Sequence, residues 1–248
     1  MNILKNLSII IPCYNEGEKA IVNIIKIKEF LSSFEDLDYE IIIVNDGSKD
    51  NTGDILKSYC KNDTLCKVVS YDENRGKGFA VKQGISKSSN DIVVFMDADL
   101  STDLSSLVDV YEYIDNYEVI IGSRRHNQSI LPKPQKFPRN LISKICSKIT
   151  NYIIPLHLAD TQCGFKAFRG DIARDIIEKQ TIENFAFDVE LLYICHLNGF
   201  SIKETPVIWE NDKDSKVKLL DSSILFFKDL VKIRLQKKHY IIKKSIAN

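Results

Sequence analysis

Residues 91–102 read DIVVFMDADLST. A short apolar run, Ile92 to Met96, passes directly into Asp97-Ala98-Asp99. A run of this length that never alternates with polar residues is a strand covered on both faces. Carboxylates inside such a sheet would cost several kcal/mol each unless paired. The two acids therefore belong at the strand's carboxyl end, on the rim of a cleft. Their spacing of two places both side chains on the same side of an extended backbone.

Working outward, the same pattern repeats. LSIIIPCY, YEIIIVNDGS, CKVVSYD and YEVIIGSR are further apolar strands. Between them lie segments of helical period: residues 17–32, DNTGDILKSYC, GKGFAVKQGISK and STDLSSLVDVYEYI. Alternating strands and helices predict an α/β fold with a mainly parallel central sheet flanked by helices. Ligands bind such sheets outside the strand carboxyl ends, where strand order reverses. Asp46, Asp97 and Asp99 all fall at such ends. After Arg125 the pattern loosens. HNQSILPKPQKFPRN carries three prolines and reads as a loop over the substrate. A helix is expected over 140–152, another in FAFDVELLYICHLNG, a strand in FSIKETPVIWE and a terminal helix in DSSILFFKDLVKIRLQKKHY. The division expected is a catalytic domain over 1–220 and a basic amphipathic tail over 221–248.

The 248 residues carry 34 basic and 34 acidic side chains, so net charge gives no reason to expect a nucleic-acid partner. No run approaches 18 apolar residues, so no membrane-spanning segment is expected. None of the six cysteines forms a CxxC pair, and several sit in apolar surroundings; free thiols and a reducing, cytoplasmic compartment are expected. From Ser222 onward seven basic residues face one acid, Asp229. Ile224, Phe227, Leu230, Val231 and Leu235 can share a helix face bordered by Lys228, Lys232 and Lys238. That face can lie on an anionic membrane, pack on the domain, or do both; a membrane-anchoring partner subunit is a third arrangement.

A D-x-D pair at a strand end suits a hard divalent cation, Mg²⁺ or Mn²⁺, whose remaining ligands are substrate phosphate oxygens. No Walker loop and no GxGxxG is present. Arg75 and Lys77 flank a helix start, a place that suits an anion. Asp188 and Glu190, two apart, fall near another helix start, where they could contact substrate or simply favour the helix.

IIIPCYNEGE, VNDGSKDNT, NRGKGFAVKQG, DADLST and GSRR occur in the order found in family 2 glycosyltransferases with the GT-A fold. DTQCGFKAF and FAFDVELLYI resemble the polyprenyl-phosphate hexosyltransferase branch, dolichyl-phosphate β-glucosyltransferases more than mannosyl enzymes. The resemblance spans about Leu7 to Tyr240. It implies inverting transfer of a hexose, glucose from UDP-glucose, to dolichyl or undecaprenyl phosphate. It places Pro12, Tyr14, Glu16 and Val44 around the nucleoside, with Asp46 hydrogen-bonded to uracil. Lys77, Asp97, Ala98 and Gln162 fall along the nucleotide sugar, and Asp97 and Asp99 hold the metal. Asp99, Arg124, Asp188 and Lys216 are the implied catalytic set, and Arg125 and Arg139 meet the acceptor phosphate. At Asp214 the chain departs from the glycine usual beside the family's lysine. The resemblance also implies peripheral attachment at the cytoplasmic face of a membrane. Two other readings stand beside it: a family 2 transferase acting on a soluble, protein-linked or polysaccharide sugar, which needs a base such as Asp188, and a non-catalytic nucleotide-sugar binding module.

Overall fold

The computed structural model describes residues 5–132, 147–210 and 219–242, with side chains from residue 225 onward in the last segment. The strands are β1 (Leu7–Cys13), β2 (Tyr39–Asp46), β3 (Cys66–Tyr71), β4 (Ile92–Met96), β5 (Val119–Ser123), β6 (Phe165–Arg169) and β7 (Ile202–Pro206). The helices are α1 (Glu18–Leu31), α2 (Thr52–Cys60), α3 (Lys77–Ser86), α4 (Ser106–Tyr113), residues 147–153 (α5), α6 (Gly170–Lys179), α7 (Phe187–Leu197) and α8 (Leu219–Leu235).

The strands form one sheet in the order β3-β2-β1-β4-β6-β5-β7. Neighbours run parallel except β6, which is antiparallel to both β4 and β5. Strand order reverses between β1 and β4, which opens the cleft beside the carboxyl end of β4. Successive strand residues feed opposite cores. Ile10, Val44, Phe95 and Phe168 pack with α3, α6, α7 and α8. Ile9, Ile11, Ile43, Val94 and Ala167 pack with α1, α2 and α4. The sequence predicts β1 to β5 and β7; β6 is the strand it does not signal.

Two expectations are corrected here. Cys60 and Cys66 form a disulfide that joins the end of α2 to the start of β3, so the thiols are not all free. Cys13, Cys163 and Cys195 are free and buried. The helix α8 also turns a different face inward from the one expected. Phe226, Leu230 and Ile233, with Tyr240 beyond the helix, enter the core, whereas Leu225, Val231 and Leu235 stay exposed. Leu230 therefore cannot belong to a face turned toward a membrane.

Candidate functional site

β4 ends at Met96, and the half-buried Asp97 and Asp99 follow on the cleft rim. The Asp97 amide donates to Gly164 O at 3.1 Å, which ties this turn to the residue just before β6. Asp99 Oδ1 accepts the Ser101 amide at 2.9 Å. Leu100 adopts φ +53°, a left-handed conformation that a branched residue rarely takes. Strain of this kind persists where the surroundings over-determine the backbone, commonly at functional sites. The Ala98 carbonyl accepts Asn23 Nδ2 from α1 at 2.7 Å.

Three cations stand against three acids around this rim. Lys77, the first residue of α3, pairs with Asp97 Oδ1. Burial works to lower the Lys77 pKa, but Asp97, Asp188 and Asp99 outweigh it and raise it. Arg124, just past β5, grips Asp160 bidentately, Nε to Oδ2 at 2.7 Å and Nη2 to Oδ1 at 2.8 Å. Burial pushes the Asp160 carboxyl up, yet the hydrogen-bonded Arg124 guanidinium prevails and holds it at about 2. Lys166, on β6, is fully buried, with Nζ 2.6 Å from Asp188 Oδ1 and 2.7 Å from Cys163 O. Burial raises the Asp188 pKa, and Lys166 and Lys77 oppose that rise. Asp160, Arg124, Asp97, Lys77, Asp188 and Lys166 thus alternate in sign. The electrostatic influence of Asp97 reaches Arg124, Lys77 and Asp188. Such a lattice leaves none of its own buried charges unmatched.

Asp46, expected at the uracil, is engaged within the protein. Its carboxylate accepts the Arg75 amide at 2.8 Å, the Gly76 amide at 2.9 Å and Asn74 Nδ2 at 2.9 Å. The Arg75 and Gly76 amides, just before this helix, are therefore occupied by an internal carboxylate. Arg75 is likewise engaged, paired with Glu183 and stacked 3.5 Å from the Phe79 ring centroid. Gly47 allows the close approach of the two loops: it has φ +62°, and a Cβ there would stand 2.4 Å from Asn74 N.

Other expected residues divide clearly. Pro12 and Glu16 are half-buried and Tyr14 is exposed, all three in or just after the carboxyl end of β1. The Val44 side chain is fully buried in the core, so only its main chain could meet a nucleoside. The Gln162 amide donates to Asp160 Oδ1 at 3.2 Å, beside the Arg124 pair. Arg124, expected to face phosphate, is held by Asp160. Arg125 is exposed, with Nη1 donating to Ala159 O at 3.0 Å. Trp209 is buried against the core, with the Arg124 guanidinium 5.5 Å from its ring centroid. Glu190 is fully buried and bonded to Thr181, Ile182 and Tyr240, so no substrate reaches it. Arg139 and Lys216 lie outside the described residues.

Sequence reasoning missed Asp160, Gly164 and Lys166. The signal available was DTQCGFKAF itself: an acid at its start, then a glycine and a lysine set among Cys163, Phe165, Ala167 and Phe168.

Among the described residues no group of three or more His, Cys, Asp or Glu side chains could hold a metal by itself. The fit of Mg²⁺ or Mn²⁺ therefore rests on Asp97 and Asp99 together with ligand oxygens. That donor set suits a hard cation, which is usually bound by one or two carboxylates plus substrate phosphates. Hard carboxylate oxygens two residues apart on a strained turn fit this chemistry; the buried thiols do not belong to it.

Residues 8–177 match the family described as Glycosyl transferase family 2. Proteins named dolichyl-phosphate beta-glucosyltransferase are similar over most of the chain. The one from Dictyostelium discoideum is 36% identical, covering 93% of this chain and 74% of its own length. The Homo sapiens protein is 31% identical, covering 94% and 76%. The Saccharomyces cerevisiae protein is 32% identical, covering 92% and 74%. Among solved structures, the UDP complex of glucosyl-3-phosphoglycerate synthase from Mycobacterium tuberculosis superposes with a TM-score of 0.68 at 17% identity, covering 94% of this chain and 80% of that one. A complex of the same enzyme with Mn²⁺, UDP-glucose and phosphoglyceric acid gives 0.64 at 17% identity, covering 94% and 79%. At that identity the likeness concerns the fold.

Proposed function

The chain belongs to glycosyltransferase family 2, and from that premise we propose that it transfers glucose from UDP-glucose to the phosphate of a polyprenyl lipid, with inversion. The observation that carries this reading is the alternating lattice of acids and cations at the carboxyl end of β4. It supplies both signs of charge where a nucleoside diphosphate sugar and an anionic acceptor must meet.

In this reading Asp99, with Asp97 behind it, would hold Mg²⁺ or Mn²⁺, and the ion would stabilise charge on the leaving diphosphate. The protein's own groups do the rest. Lys77 sits within reach of the same phosphates and can exchange Asp97 for them. Arg124, fixed by Asp160 and backed by Trp209, presents positive charge from the opposite side of the rim. A phosphate monoester has a second pKa of about 6, so the acceptor arrives largely ionised near neutral pH. It therefore needs no base to become a nucleophile. What it needs is compensation for its own charge as it nears the donor, and the partly exposed Lys77 and Arg124 provide it.

The reading in which Asp188 is a base for a sugar hydroxyl is less well supported. Its side chain is buried and one oxygen is already held by Lys166. Relatives named for a dolichyl-phosphate acceptor also favour the lipid.

The outer face of α8 offers contact with the membrane that holds such an acceptor. Leu225, Val231 and Leu235 are exposed there alongside Lys228 and Lys232. No helix among the described residues is long and apolar enough to cross a membrane.

The deciding experiment incubates the protein with radiolabelled UDP-glucose, Mn²⁺ and dolichyl phosphate, and extracts the product into organic solvent. Label in the lipid phase that disappears in Asp99→Asn supports the proposal. Label that stays aqueous, or transfer unaffected by Asp99→Asn, overturns it. A calorimetric panel of UDP- and GDP-hexoses identifies the donor.

A further inference from the structure

Tyr240 lies beyond α8, far along the chain from the rim, yet it is fully buried. Its hydroxyl donates to Glu190 Oε1 at 2.6 Å, with Gln236 Oε1 at 2.8 Å as the alternative acceptor. Glu190 is itself fully buried. Its remaining capacity goes to one short turn: Oε1 accepts the Thr181 amide at 2.9 Å and Thr181 Oγ1 at 2.8 Å, and Oε2 accepts the Ile182 amide at 2.9 Å. Gln236 Oε1 is also 2.8 Å from Thr181 Oγ1, so two hydroxyl protons are shared between two acceptors.

The opposite side of that turn carries the start of α3. Gln180 Nε2 donates to Gly78 O at 2.9 Å and to Ile182 O at 2.7 Å. The Phe79 amide donates to Glu183 O at 3.1 Å, and Glu183 pairs with Arg75. Contact is tight. A Cβ at residue 76 would stand 2.7 Å from Glu183 O, and one at residue 78 would stand 2.8 Å from Ile182 O. Between those two glycines sits Lys77, whose ammonium meets Asp97. A buried carboxylate that satisfies two backbone amides fixes their position more strictly than apolar packing would.

We propose that Tyr240 is a positioning residue for the donor site: through Glu190 it sets the 180–183 turn on which the start of α3, and with it Lys77, is seated. The C-terminal segment thereby becomes part of the donor-binding apparatus although none of its described side chains touches the rim acids. A deformation of α8 on a membrane surface would be transmitted along the same contacts. The assignment of the rim to a nucleotide donor rests on the function proposed above; the mechanical link does not.

The test compares Tyr240→Phe with Tyr193→Phe in the full chain. Tyr193 is a buried tyrosine at the same interface, and its hydroxyl accepts Arg234 Nη1 at 3.0 Å without contact to the 180–183 turn. Amide hydrogen exchange over residues 75–82 is read without ligand, and UDP affinity is read by calorimetry in Mn²⁺. The loss of one hydrogen bond worth about 1 kcal/mol predicts about fivefold faster exchange at Phe79 and about fivefold weaker UDP binding in Tyr240→Phe. Tyr193→Phe changes neither. Thr181→Val, which removes the shared hydroxyl from the other side, reproduces the effect and serves if Tyr240→Phe does not fold. Unchanged exchange in Tyr240→Phe, or equal acceleration in both tyrosine variants, overturns the proposal. If exchange responds as stated but the wild-type protein binds no UDP, the link stands and the donor assignment fails.

Discussion

A Cβ on residue 164 would stand 1.9 Å from Asp97 Oδ2, and residue 164 is glycine. The Asp97 carboxylate occupies space that any other amino acid would claim, while its amide holds Gly164 O. The glycine is therefore what seats the acid. Gly164→Ala is expected to fold, because the carboxylate is the end of a short mobile side chain and can rotate away. It is also expected to lower turnover by roughly 10²-fold, the usual cost of displacing a reacting group by about an ångström. Steady-state transfer measured beside a thermal melt checks this; full activity in a folded variant would contradict it.

The Arg124–Asp160 pair predicts an acid limb in the stability curve. The ordinary Asp160 pKa of 3.8 falls to about 2 in the fold. A carboxyl with a depressed pKa stabilises the fold above its unfolded value, and the contribution fades as pH falls through the folded value. The window is thus pH 4 to pH 2, and the amount is about 2 kcal/mol, since each pKa unit is worth 1.36 kcal/mol. Urea melts across that range should show the loss in wild type. Asp160→Asn should be less stable than wild type at pH 7 and should lack this contribution to the slope.

For the Lys166–Asp188 pair a double-mutant cycle is informative. Both groups are out of water, with side-chain exposures of 0% and 7%. Lys166→Met leaves a buried carboxylate without its partner and should cost about 3–5 kcal/mol. Adding Asp188→Leu removes the orphan and should restore part of that loss, as replacing both members of a buried ion pair commonly does. Chemical denaturation of the two single variants and the double variant measures the coupling, and strict additivity would refute it.

On the outer face of α8, Lys228→Glu with Lys232→Glu should abolish co-sedimentation with anionic vesicles at low salt. Each cation near a charged leaflet contributes on the order of 1 kcal/mol. Both lysines are exposed, so the melting temperature should hold. Leu230→Ala, on the buried face, should do the reverse: it should destabilise by about 2–5 kcal/mol and leave intrinsic vesicle affinity intact.

The sequence made β1 to β5 legible because each is an apolar run closed by turn residues, a signal carried by neighbouring positions. Asp97 and Asp99 were legible for the same reason, since a strand end locates them. β6 was hidden. In five residues, FKAFR, it carries a lysine and an arginine, and the first of these is a buried charge whose partner lies 22 residues away. Asp160 lies in plain view within DTQCGFKAF, but nothing matches it to Arg124 across 36 residues, because ion pairs leave no periodicity in the chain. For α8, helical spacing showed which apolar residues align. It could not show which of two apolar arcs meets the core, since that depends on the distant elements α8 packs against. The strand end locates Asp46 as well, but its engagement with residues 74–76 depends on a loop 28 residues away, which no local pattern shows.

The reversed strand β6 also governs when the protein can begin to work. Asp97 emerges from the ribosome well ahead of Asp160, Gly164, Lys166 and Asp188, and the first four parallel strands can associate without them. A nascent chain that stops short of Asp160 would lack the seating glycine, Lys166 and the acids that pair with Arg124 and Lys166. Competence therefore arrives late in synthesis, once β6 has threaded between β4 and β5, and a truncated product of translation is an inert one.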